Sequence, residues 1–400
     1  MTAPTALNRI DLIRPDAPPR AAAGSFGVGR ATLRFTNANV PRVVNLMTGE
    51  GPARADRTLT VEMFYPAATP VQPTPIHTEL RDGVTPVALW GLSAEGAEPA
   101  SQPAEFPLVV ISHGYPGNRF LMSHLAENLA SKGYAVVSID HADSTYNDQN
   151  IPEAVAVDRP RDIHFILHAL TAAQSASAAG EPVQHPVLAR LATDRIGLVG
   201  YSMGGYGVLM AQGAQLAPPV LSQTPEAAQA LMKGLLLDTE TPAHQPDPRV
   251  AAMIAIAPWG RQVGILDPRG LAKISTPSLI VGGSADAISG YETGIRQIWQ
   301  DCTNTDRALL TFDGAQHNAA APMPAPMESF AANDTLEFPP FEHYADLIWD
   351  SVRMNNILQH AATGLFDHYV RGQADAPDLA AACEEPIQPG TRMEYLATGS

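Results

Sequence analysis

Six short apolar runs constrain this chain more than anything else in it: "FPLVVISHG", "YAVVSID", "RIGLVGYS", "AAMIAIAPW", "PSLIVGGSAD" and "RALLTFDG". Each is continuous and rich in β-branched residues, with no polar alternation to give a solvent face, as expected of strands covered on both sides. Such strands need helices between them. The intervening segments supply these: "NRFLMSHLAENLASKG" sets Leu121, Leu125 and Leu129 on one stripe and closes on Lys132 and Gly133, and "RPRDIHFILHALTAA" repeats the stripe with Ile163, Ile166, Leu167 and Leu170. The alternation predicts an α/β fold, a doubly wound, mostly parallel sheet whose ligands bind beyond the carboxyl ends of the strands. Ahead of it, "ATLRFTNA" and "RTLTVEMFYPA" read as antiparallel edge strands. Residues 67–105 read as loop, and so does "GSFGVG", which lacks the order and the following helix of a dinucleotide fingerprint.

The 400 residues are expected to form a single domain, its core at about 55–213 and 249–372. Two segments interrupt the alternation: about 214–248, with a helix near "TPEAAQALMKGLLL", and about 318–342, "NAAAPMPAPMESFAANDTLEFPPF". Connections this long are uncommon in compact domains unless they serve as lids or are disordered, so both are expected to lie over the site. Met323 and Met327 suit either an adaptable cover or ordinary packing. From Glu342 the pattern predicts a long closing helix, kinked near Gly364, followed by a loose tail over about 373–400.

Composition excludes several classes. A formal charge of −16 repels phosphate backbones and anionic head groups, so nucleic acid is not an expected partner. Two cysteines, Cys302 and Cys383, are too few for a disulfide framework or a thiolate metal site, although one bridge stays open. No stretch approaches the ~18 uncharged apolar residues of a membrane span. The first twenty residues lack the basic head and apolar stretch of an export signal, and the expected location is cytoplasmic.

The most informative stretch is Gly200-Tyr201-Ser202-Met203-Gly204, a G-x-S-x-G at the point where the strand "IGLV" turns into the helix start "GGYGVLMAQG". Glycines two residues either side of a serine allow a strained turn that leaves the hydroxyl exposed above the sheet. A serine nucleophile needs a base, and the base an orienting acid. Asp286 follows the strand "PSLIVGG" and His317 follows "RALLTFDG", so the set Ser202, Asp286, His317 appears at carboxyl ends in the chain order of the nucleophile-elbow enzymes. Rival acids are Asp301, inside a helix, and Asp313, before a turn. The Met203 amide and the Tyr115 amide in "ISHGYPGN" are the candidate oxyanion donors. His113 and His141 also lie at strand ends, as structural hydrogen-bonders or pocket wall. His164, His168, His360 and His368 recur at helical spacing and read as helix faces, so no metal or other cofactor is expected.

With these residues in place, the chain resembles the serine α/β-hydrolases grouped around platelet-activating-factor acetylhydrolase, dienelactone-hydrolase-like enzymes and bacterial polyester hydrolases. The resemblance spans roughly 105–320 through "SHGYPGNR", "GYSMGG", "APW", "GGSAD" and "AQH". It implies an α/β-hydrolase fold, and a substrate contact from Trp259, because the matching tryptophan of the polyester hydrolases lines their acyl pocket. Tyr115 is a second expected contact. The expected activity is hydrolysis of a carboxylic ester or lactone of modest size, neutral or hydrophobic, through an acyl-enzyme. Acyl transfer and amide hydrolysis use the same residues, and a hydrolase fold serving as a non-catalytic receptor is the remaining alternative.

Overall fold

The computed structural model describes residues 7–243, 245–385 and 388–400. Twelve strands are described: β1 (Gly27–Pro41), β2 (Arg54–Ala67), β3 (Ile76–Glu79), β4 (Pro86–Leu89), β5 (Ser93–Glu95), β6 (Phe106–Ser112), β7 (Ala135–Asp140), β8 (Leu191–Tyr201), β9 (Val250–Ile256), β10 (Ser278–Gly283), β11 (Arg307–Phe312) and β12 (Thr391–Leu396). Ten of them form one sheet in the order β12-β11-β10-β9-β8-β6-β7-β2-β1-β5. The six apolar runs are its parallel centre, β6 through β11. The strands β1 and β2 extend it antiparallel on one side. Fully buried patterns in β10 and β11 show why those runs need no polar face.

The helices are α1 (Val43–Thr48), α2 (Ser123–Ser131), α3 (Pro152–Ala178), α4 (Met203–Ala211), α5 (Gln229–Lys233), α6 (Pro268–Leu271), α7 (Arg296–Asp301), α8 (Ser351–Tyr369) and α9 (Leu379–Glu384). The most extensive helix pair is α3 with α4, followed by α2 with α8 and α1 with α3. This doubly wound, mostly parallel arrangement is the α/β-hydrolase fold.

Several expectations are corrected. Residues 67–105 contain the β3-β4 hairpin and β5, strands of three or four residues whose alternation is too brief to separate from loop. Part of "GSFGVG" is the start of β1. The closing helix begins at Ser351 and not at Glu342, for Asp350 caps it by accepting from Arg353 N at 2.8 Å. Before that point Asp346 accepts the amides of Gln316, Ile348 and Trp349 and holds the backbone out of helix. The tail is not loose: β12 pairs antiparallel with β11 from Thr391 to Leu396. The segment 214–248 packs beside α6, through bridges such as Leu216 to Leu266, and no described residue of it reaches the cavity at Ser202. Cys302 and Cys383 are not bonded to each other.

Candidate active site

The strand β8 ends at Tyr201 and α4 begins at Met203, so the chain reverses at Ser202 alone. Ser202 has φ 53° and ψ −113°, a conformation that costs a side-chain-bearing residue about 1–3 kcal/mol. Glycine makes the reversal possible. A Cβ on Gly200 would stand 2.1 Å from Gly204 O, and one on Gly204 2.1 Å from Ser112 O. The turn is tied down by Ser202 N donating to Ile256 O at 2.8 Å and by Ser202 O accepting from Tyr206 N and Trp259 N.

His317, after β11, and Asp286, after β10, reach this serine from neighbouring strand ends. His317 Nε2 lies 2.9 Å from Ser202 Oγ, and His317 Nδ1 lies 2.9 Å from Asp286 Oδ2. Asp286 Oδ1 accepts the amides of Ile288 and Ser289 at 2.8 and 2.9 Å, so the carboxylate is held at both oxygens. The consistent assignment puts the imidazole proton on Nδ1 and leaves Nε2 to accept from the serine hydroxyl. The rival acids stand elsewhere: Asp301 pairs with Arg261 at 2.9 Å and Asp313 with Arg392 at 2.8 Å.

The loop after β6 runs beside the serine, close enough that a Cβ on Gly114 would come within 3.4 Å of Ser202 Cβ. Among the described residues, no protein acceptor takes the amide of Tyr115 or that of Met203, the latter a first-turn donor of α4. A buried polar network beneath the loop fixes its path. Arg159 is fully buried and donates to His113 O at 2.6 Å and to Ser144 Oγ. His113 donates through Nδ1 to Gly114 O at 2.6 Å and accepts at Nε2 from His141 N at 3.2 Å. His141 in turn joins Ser112 Oγ at 2.9 Å to Asp162 Oδ2 at 3.0 Å. Sequence reasoning placed His113 and His141 at strand ends but missed Arg159 and Asp162, which sit in a helical stripe judged by its apolar members.

Above Ser202 lies a cavity of about 630 Å³, walled by Tyr115, Tyr201, Ile288, Phe338, Phe341 and Leu347 with several polar groups. Much of this wall comes from residues 338–347, which run from the end of the second insertion toward α8. Asn318 anchors that segment: its Nδ2 donates to Glu342 O and Ala345 O at 2.8 and 2.7 Å, and its Oδ1 accepts from Tyr201 Oη at 3.0 Å. Tyr115 lines the cavity as expected of a contact. Trp259 does not: it stacks edge-on against Tyr206, ring centroids 6.3 Å apart, and its amide secures the turn at Ser202. Met323 is buried and Met327 exposed, and neither lines the cavity. Among the described residues, no three His, Cys, Asp or Glu side chains group to hold a metal, and no helix is long and apolar enough to cross a membrane.

Comparison with known proteins finds likenesses among ester hydrolases. A family model described as PET hydrolase-like matches residues 96–235, which span the loop after β6 and the turn at Ser202. The cutinase Cut1 of Thermobifida fusca is 26% identical over 72% of this chain and 73% of its own length. A bis(hydroxyethyl) terephthalate hydrolase of Streptomyces coelicolor is 28% identical over 53% of this chain and 50% of its own. Among solved structures, a ferulic acid esterase from Streptomyces cinnamoneus superposes with a TM-score of 0.62 at 20% identity, over 98% of this chain and all of that one. By its sheet, its strained serine turn and these likenesses, the chain is a protein of the α/β-hydrolase fold that resembles the bacterial polyester and serine hydrolases.

Proposed function

We propose that the protein hydrolyses a carboxylic ester or lactone through an acyl-enzyme on Ser202. The single observation that carries this reading is the relay Ser202–His317–Asp286, set on a strained turn and opening into a cavity. The likeness to a cutinase, a terephthalate ester hydrolase and a ferulic acid esterase supports an ester as the substrate.

Ser202 Oγ attacks the carbonyl carbon while His317 Nε2 takes its proton, and Asp286 steadies the imidazolium that forms. The amides of Met203 and Tyr115 receive the oxyanion, a contribution of about 3–4 kcal/mol per donor in enzymes of this type. As the tetrahedral adduct collapses, His317 returns the proton to the leaving alcohol. Water then enters, gives a proton to the same nitrogen and adds to the acyl carbon; this second adduct collapses with cleavage of the bond to Ser202 Oγ, which takes the proton back from His317, and the acid leaves. The walls of the cavity favour a modest-sized acyl or aryl body.

Intact-protein mass after treatment with a small fluorophosphonate, beside a Ser202→Ala variant, tests the reading. It requires one adduct that the variant lacks, with turnover of p-nitrophenyl esters of short acyl length. Well-folded protein that stays unlabelled and inactive would move the non-catalytic receptor alternative to the front.

A further inference from the structure

The wall of the cavity over Ser202 carries a cation, Arg81, with no ion-pair partner among the described residues. Arg81 sits in the turn between β3 and β4, which Leu80 N closes on Thr85 O and Gly83 N on Leu80 O. Its half-buried side chain lines the cavity together with Tyr115, His317 and His343. It is the one lysine or arginine among the described lining residues. Among the described residues its guanidinium makes no hydrogen bond and no ion pair.

The nearby acids are already engaged. Asp82 accepts the amides of Val84 and Thr85, the Thr85 hydroxyl and Asn333 Nδ2. Asp346 is held by three backbone amides. Glu342 borders the cavity but is exposed and forms no ion pair with Arg81. Burial lowers the pKa of Arg81, opposed by the phenols of Tyr146, Tyr344 and Tyr115 and, least, by the Asp82 carboxylate, which forms no ion pair with it. A guanidinium withdrawn from water without a partner is unfavourable, and its planar fork matches a carboxylate at two points. In a chain of net charge −16 an unspent cation beside the nucleophile is a local reversal of the prevailing field.

We propose that Arg81 receives a free carboxylate carried by the substrate, so that the site takes esters with an apolar or aromatic body and an anionic end in place of wholly neutral ones. This rests on the ester-hydrolase reading of the same cavity.

Two matched pairs of esters test it. 4-Acetoxybenzoate against 4-acetoxybenzamide places the charge on the leaving alcohol, and monomethyl terephthalate against its monoamide places it on the acyl side. The native enzyme is expected to prefer the anion in at least one pair by about tenfold or more in kcat/KM, chiefly through KM, as for a charge-assisted hydrogen bond. Arg81→Gln should erase that ratio and Arg81→Lys retain part of it. No discrimination in either pair, or an Arg81→Gln variant that loses both members of a pair equally, overturns the proposal. Calorimetric binding of 4-acetoxybenzoate and 4-acetoxybenzamide to Ser202→Ala, with and without Arg81→Gln, separates the two readings. If the native enzyme cleaves neither pair while Ser202→Ala still prefers the anion through Arg81, the hydrolase reading fails and the carboxylate site stands. Equal binding of anion and amide, together with equal kcat/KM for anion and amide in both ester pairs, removes the site.

Discussion

The protein contains two constellations of serine, histidine and aspartate with nearly the same internal distances. In Ser202–His317–Asp286 the two contacts are both 2.9 Å, and in Ser112–His141–Asp162 they are 2.9 and 3.0 Å. Distance therefore does not distinguish them. Ser112 lies within regular β6, fully buried, whereas Ser202 occupies a strained turn below an open cavity. The field differs too. Asp162 shares Arg57 with Asp143 and Asp158, and Arg159 stands 3.5 Å from Ser112 Oγ. Burial, reinforced by Arg159, pushes the His141 imidazole down to about 3, so it cannot serve as a base near neutrality. The inner set holds the loop that carries the Tyr115 amide. A triad thus needs access and a polarisable environment as well as geometry.

The comparison breaks most visibly at the serines. Ser202→Ala is expected to lower kcat by about 10⁴-fold or more with the fold intact by circular dichroism. Ser112→Ala should still take the fluorophosphonate, and an adduct mapped to Ser112 by peptide mass would erase the distinction. The acids come next. Asp286→Asn should cost about 10³- to 10⁴-fold in kcat with little change in melting temperature. Asp162→Asn strips Arg57 of a buried partner, and about 3–5 kcal/mol of stability should go with it in urea titration. If the two variants showed the reverse pattern, the assignment of roles would be inverted.

Acid sharpens the contrast further. In the folded protein the His141 value is depressed below the ordinary imidazole value of about 6.5, so below that pH the unfolded chain binds a proton the folded chain refuses. This one group withdraws up to about 1.4 kcal/mol of stability per pH unit as pH falls from about 6.5 toward 3. In the native state the His141 nitrogen resonances should stay those of a neutral ring from pH 8 to 5; a midpoint inside that range would break the contrast. The smallest effect is expected at the cover. Asn318→Ala releases its ties to Glu342 and Ala345 and should raise KM a few-fold, read from p-nitrophenyl ester kinetics.

The range of each interaction decided how much of the molecule was legible in its sequence. The relay at Ser202 was readable because a glycine-flanked serine and two strand ends are local signals, each needing only a few neighbouring residues. The six central strands were readable for the same reason. The strand β12 was not, since the half-buried "TRMEYL" is stabilised by pairing with a strand about eighty residues earlier, a non-local contact that propensity barely registers. Arg81 was missed because its turn looked like any surface loop, and only its place on the cavity wall with Tyr115 marks it out. Resemblance carried Trp259 to its place beside the turn at Ser202 but not the direction in which its ring settles, edge-on against Tyr206.

The strand β12 also has a consequence for the order of events during synthesis. The histidine of the relay hangs from the end of β11, whose outer edge is covered only when Thr391–Leu396 arrives. Until the ribosome has passed that segment, a finished Ser202 turn sits in a sheet with an open, largely apolar border strand, and such borders recruit other chains. A nascent chain stalled before Thr391 should be both silent and sticky, and a short peptide of this segment added in trans should restore the missing border.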